Sequence, residues 1–428
     1  MGDVEYLSVI KSLSDRIVKT QGPIRILDAI KWGDDVQKSF FQNKYRRQPE
    51  VDAGYYRRNP LSYDVNEVRR AFQTITQDIH TQLGNLDPAG NIMLRMCREY
   101  QRVLDMLEAR GTPDFSLISQ ELYGRSSDTF HAGGPTVADL GKLLDRSLRQ
   151  IDQRMFLEAS PRSIPTQKAI PMLQAWLDRA FPDPEARVRV IESDGIVADA
   201  AAGSDYIKLR ANSFFSERDL QGLEAHEGWV HVGTTLNGRL QPTCSFLCKG
   251  TPSDTITQEG LAVFVEVISF KSHPARLRRI ADRIRAIQFA EQGASFLDIF
   301  HIFTTEGRSA EEAYTVTSRV FRGSTPELGP FTKDLSYSKG FILVYNFIRL
   351  AVRRGKLERI PLLFCGKLAL EDMGTLARLM ERGIVIPPKY LPPPLVDLNA
   401  ITAWMAYSNF LNQIDLGLIE TDLMPMLE

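Results

Sequence analysis

The sequence predicts a mainly α chain with one small β-sheet (α+β), on three observations. Apolar residues recur at spacings of three and four over most of the length, the mark of a helix with one buried face. Short apolar, β-branched runs set off by turn residues are confined to positions 188–209. Hydrophobic residues make up 43% and charged residues 25% of the 428 positions, a globular balance with ample material for a core.

The elements follow in order. Val65, Val68, Phe72, Ile75, Ile79 and Leu83 define one helix face, and Ile92, Met96, Tyr100, Val103 and Leu107 a second, with Gly111 as its stop. The stretch Pro113–Thr136 is rich in Gly, Ser and Pro and is expected as a loop. Leu140, Leu144, Leu148 and Ile151 open a third helix. These compose an N-terminal helical region, 1–158. A break near Ser160–Pro165 begins a second region, 159–428. Strands are expected around Val188 and Val190, at Ile196–Ala200 and at Tyr206–Leu209. Ser216-x-x-Asp219 resembles a capping box and opens a helix from Glu217 to Leu236, closed by Asn237-Gly238. Thr255-x-x-Gln258 opens another, running to Phe270. Further helices are expected at 275–289, 294–304, 309–321, 336–354 and, after the Pro-rich Ile386–Leu395, at 398–413.

Charge and cysteine narrow the function classes. Lys+Arg is 52 and Asp+Glu 53, so the basic excess typical of general nucleic-acid or anionic-membrane binders is missing. Four cysteines do not make a disulfide framework, which fits a reducing compartment. No run of 18 apolar residues exists, the first residues carry acids early, and Tyr6 breaks the myristoylation pattern. The expectation is a cytoplasmic protein with neither nucleic acid nor membrane as partner. Cys244 and Cys248 have no His or Cys to complete a metal site and read as small apolar residues. Arg276, Arg278, Arg279, Arg283 and Arg285 read first as a solvated helix face, with binding of an acidic peptide tail as the second reading.

The chemistry concentrates in LEAHEGWVHVG. His226 and His231 are two of only six histidines, and Glu227 follows the first. Zinc takes imidazole and carboxylate ligands, and metallopeptidase helices place two His on one face with a Glu after the first as general base. The usual spacing is four; here it is five. On a regular α-helix five residues leave the side chains about 140° apart. The segment is therefore either a helix with a π-bulge, eased by Gly228, or no metal site at all. Glu259, 28 residues after His231 in ITQEGLAVFVEV, offers a third ligand from a second helix, with small Gly260 beside it for close approach. An acid in a helix's first turn is also favoured by the dipole alone. Glu266 reads equally as a partly buried acid behind the site or as a polar helix face.

The segments HEGWVH, LNGRLQP and TQEGLAVFVEV resemble the QEGLA-motif family. Its bacterial members are labelled flavohaemoglobin expression-modulating proteins, and it is related to the microtubule-associated tyrosine carboxypeptidases of animals. FSERDLQGLEAHE, RVFRG, FTKDLSYSKG and PPKYLPP extend the likeness over about residues 160–415. The resemblance implies a gluzincin-like zinc metallopeptidase core of HExxxH type. It implies one zinc ion per chain held by His226, His231 and Glu259, with Glu227 as catalytic acid/base. The implied reaction removes a C-terminal residue, tyrosine or another bulky one, from a peptide or protein tail by a zinc-activated water. Tyr337 is the first candidate oxyanion donor, with Lys333 second. Arg322, then Arg319, Lys333 and Arg210, are candidates for the substrate's terminal carboxylate, since a guanidinium fork matches a carboxylate. Tyr206–Arg210 is expected as an open sheet edge onto which a peptide adds. The rival readings are a catalytically silent peptide-binding or regulatory protein, and a non-peptidase zinc hydrolase on the same fold.

Overall fold

A computed structural model describes residues 3–151, 160–196 and 198–426. The helix Val65–Leu83 starts where Asp64 accepts from the amides of Asn66 and Glu67, and it buries Val68, Phe72, Ile75 and Ile79. The helix Pro88–Glu108 starts with Pro at its first position behind Asp87. The two pack with Phe72 stacked on Tyr100, ring centroids 5.3 Å apart. One apolar cluster then runs from Ile10, Phe72 and Tyr100 through Phe264 and Val344 to Met405, so the first 123 residues and the C-terminal half share a core. The expected boundary at 158/159 lies outside the described residues, as does Val197 of the strand expected at Ile196–Ala200.

Pro113–Tyr123 is a helix and not the expected loop. Its serines misled the reading, because both are buried and satisfied. Ser116 donates to the carbonyl of Pro330 and Ser119 accepts the amide of Thr332, each at 2.8 Å. Phe115, Ile118 and Tyr123 supply the apolar face.

The β region forms two small sheets. β1 (Ile164–Pro165) pairs antiparallel with β5 (Phe214–Phe215). β2 (Arg189–Ser193), β3 (Ala200–Ala202) and β4 (Tyr206–Arg210) form a sheet in the order β2-β4-β3. β4 is parallel to β2, with Val190 opposite Ile207, and antiparallel to β3, with Ala202 opposite Ile207. The expected open edge at Tyr206–Arg210 is therefore closed on both sides, and no peptide can add there. Order along the chain hid this: β3 folds back on one side of β4 while β2 takes the other. Ile207 and Leu209 are wholly buried at this centre.

The remaining helices lie close to expectation: Pro274–Glu291, Phe296–Thr305, Ala310–Phe321, Ser336–Arg353 and Asn399–Leu411. Among the described residues, no helix is long and apolar enough to cross a membrane. The helix expected from Thr255 begins earlier, as Pro252–Ile268, because the capping box is Thr251 with Asp254. Glu259 consequently stands in the body of that helix and not in its first turn. Gly260 does admit a close neighbour, but the neighbour is the helix Ser336–Arg353. A Cβ on Gly260 would lie 2.0 Å from the carbonyl carbon of Gly340, and one on Gly340 would lie 1.9 Å from the oxygen of Ile256.

Candidate metal centre

The helix opened by Ser216 changes pitch as it reaches the histidines. Glu217–Leu223 is α-helical, Glu224–Val232 is a π-helix, and Gly233–Arg239 is α-helical again. The amide of Gly233 reaches back five residues to the carbonyl of Gly228. Under such bonding, residues five apart take the shared face that residues four apart hold in an α-helix. The rings of His226 and His231 stand 4.9 Å apart in consequence. Gly228 fits the packing as well: a Cβ there would meet Leu177 Cδ2 at 2.8 Å. The helix does not stop at Asn237-Gly238. The side-chain amide of Asn237 is buried, donating to the carbonyls of Phe364 and Tyr390, and Gly238 lies against the backbone of Leu247, so these residues serve packing and not termination.

Glu259 completes the cluster from the Pro252–Ile268 helix. Its Oε2 lies 3.4 Å from Nε2 of His226 and 3.5 Å from Nε2 of His231. The three candidate ligand atoms all lie within 4.8 Å of one another. Ligand atoms about 2.0–2.1 Å from a tetrahedral ion stand about 3.4 Å apart. Oε2 of Glu259 is buried and makes no hydrogen bond. A buried, unsatisfied carboxylate oxygen facing two imidazole nitrogens at this spacing fits a divalent cation, and the donor set fits zinc.

The surroundings orient the cluster. Nδ1 of His226 lies 2.6 Å from Oε1 of Glu266, which turns Nε2 toward Glu259. Glu266 is itself held by Arg276 at 3.1 and 3.2 Å. Burial favours a neutral His226, but the neighbouring carboxylates of Glu259 and Glu266 outweigh burial and push its pKa up to about 10. Burial likewise opposes ionisation of Glu259, yet Lys333 and the two histidines hold it well below the ordinary carboxylate range. The carboxylates thus create a strong demand for positive charge at this point. Glu227 accepts the amide of Ala202, in β3, through Oε2 at 2.9 Å.

A cavity of about 930 Å³ opens onto these residues, and Tyr337, Arg210, Arg319 and Lys333 all line it. The ring of Tyr337 stacks on His226 at 6.1 Å. Lys333 donates to Oε1 of Glu259 at 2.7 Å. Arg319 is clamped by both oxygens of Asp334, at 2.6 and 2.9 Å. Arg210 is tied to Ser213 and Asp199. Arg322 is not on the cavity wall; it is buried, with Cζ 5.4 Å from the Phe331 ring centroid.

The arginine run is not a solvated face. Arg276, Arg283 and Arg285 have side chains only 18%, 12% and 9% exposed, and of the five Arg279 alone is exposed. Their carboxylate neighbours Glu266, Asp334 and Glu306 come from other segments, so local sequence could not reveal the burial. The sequence alone does not decide between the two readings of Glu266. Glu266 follows Glu259 by seven residues, two helical turns along the same face, and that signal was available. Cys244 and Cys248 are buried free thiols, in line with the apolar reading.

A family model described as microtubule-associated tyrosine carboxypeptidase matches residues 38–413. No curated protein matches the chain.

Proposed function

The chain belongs to the microtubule-associated tyrosine carboxypeptidase family, and from that premise we propose that it is a zinc-dependent carboxypeptidase acting on the C-terminal tail of a peptide or protein. The observation that carries the zinc part is the convergence of His226, His231 and Glu259 around the unsatisfied Oε2 of Glu259. These three residues would hold the ion. Bound zinc supplies Lewis acidity and makes a water acidic enough to ionise near neutral pH.

The chain's own groups account for the rest. Glu227 takes the proton of the attacking water and passes it to the departing amine. Its Oε2 is anchored by the amide of Ala202, while its Oε1 makes no hydrogen bond among the described residues. The carboxylate is thus fixed in place with one oxygen available. Glu266 keeps His226 in the tautomer that presents Nε2. Tyr337, whose ring stacks on His226 at the cavity wall, would donate its hydroxyl to the oxyanion. Lys333 holds Glu259 ionised and in register.

Digestion of a peptide library varied at its C-terminus, read by mass spectrometry, tests the proposal. Single-residue trimming that a chelator abolishes and zinc restores is the expected result. Glu227→Gln should keep its metal yet lose about 10²–10⁴-fold in turnover. Trimming that survives the chelator, or full activity in Glu227→Gln, would overturn it.

A further inference from the structure

The wall beside the candidate metal centre carries more buried positive charge than its carboxylates match. Arg283, Arg319 and Arg322 gather around the one carboxylate of Asp334. Arg319 occupies both of its oxygens. Arg322 Nη2 stands 3.6 Å and Arg283 Nε 3.7 Å from Asp334, and neither contact is a hydrogen bond. Arg322 is shut away against Phe331, whereas Arg283 lines the cavity. Nη1 of Arg283 is buried without a partner. Beside it, Arg276 is engaged by Glu266 and Lys333 by Glu259. Burial, reinforced by Arg319, pushes the Arg283 guanidinium down to about 10, so it stays charged at neutral pH.

A buried guanidinium with free donors is costly unless an anion completes it. Its planar fork matches a carboxylate in two parallel hydrogen bonds. Its position limits which carboxylate. Arg283 Cζ lies 4.7 Å from the centroid of Tyr337, and the same ring stacks on His226. One aromatic ring therefore contacts both Arg283 and His226.

We infer that Arg283 is the anchor for the α-carboxylate at the substrate's C-terminus. The inference rests on the carboxypeptidase reading and adds its specificity determinant. A carboxylate bound at Arg283 lies in the same cavity as His226, His231 and Glu259. An amidated or internal segment is refused because it leaves Arg283 buried and unpaired.

A synthetic peptide pool, randomised at its last few positions and prepared both as free acid and as C-terminal amide, is titrated against the Glu227→Gln protein and against Glu227→Gln/Arg283→Gln. The free acid should bind the first about ten- to a hundredfold better than the amide. That preference should vanish in the second and return in part with Arg283→Lys. The thermal midpoint of Arg283→Gln should not fall, since an unpaired buried charge has been removed; a merely structural residue would lower it. With Glu227 intact, Arg283→Gln should raise KM for the free acid more than it lowers kcat. No acid preference in the first protein, or an equal preference in the second, overturns the anchor. If no protein cleaves but the acid preference follows Arg283, the anchor stands and the hydrolase reading falls.

Discussion

Glu266 shows how much of the centre depends on groups that touch no substrate. It takes the Nδ1 side of His226 at 2.6 Å and shares its charge with Arg276, so the ring has one orientation and one tautomer. Glu266→Gln should lower metal affinity about 10- to 100-fold, measured by competition with a chromophoric chelator. Unchanged affinity would remove Glu266 from the account. At this scale the sequence was legible where chemistry is rare. Two of six histidines bracket a Glu within a short segment, and the QEG triplet marks Glu259. It was not legible where a residue's role depends on a distant partner. Arg283 looks like any other member of a basic run until Asp334 and Tyr337 close around it.

The elements are built to bring two helices close and to distort a third. Gly260 and Gly340 face each other across the contact between Pro252–Ile268 and Ser336–Arg353, where a Cβ on either would penetrate backbone. Backbone cannot step aside as a side chain can, so Gly260→Ala should cost about 1–3 kcal/mol or more. It should also displace Glu259, its immediate neighbour. Thermal unfolding and metal content together check this, and a variant equal to the parent in both would contradict the packing described. The five-residue histidine spacing already demanded a π-type distortion if both rings were to meet. The nine-residue length of that π-helix, Glu224–Val232, could not be read from it. The central position of β4 was likewise hidden, because pairing partners are set by spatial order and not by order along the chain.

Across the molecule, a single apolar cluster links the first helices to the last ones, and the helix carrying Glu259 runs through it, contributing Leu261, Ala262, Phe264 and Val265. Unfolding should therefore be one cooperative transition by calorimetry, and removing the ion should lower it as a whole. An ion present at about a thousand times its dissociation constant stabilises by about 4 kcal/mol, a shift of a few degrees in a chain of this size. Two separable transitions, or a midpoint indifferent to chelator, would contradict this coupling. The mainly α class was legible from helical periodicity. The shared core was not, because periodicity shows that a helix has a buried face without showing what covers it. His226, His231 and Glu259 are proposed to hold one zinc ion together. Elemental analysis of the freshly purified chain beside its His231→Ala variant tests it most directly: one zinc per chain in the parent and none in the variant is expected, and equal zinc in both, or none in the parent after zinc loading, would contradict it.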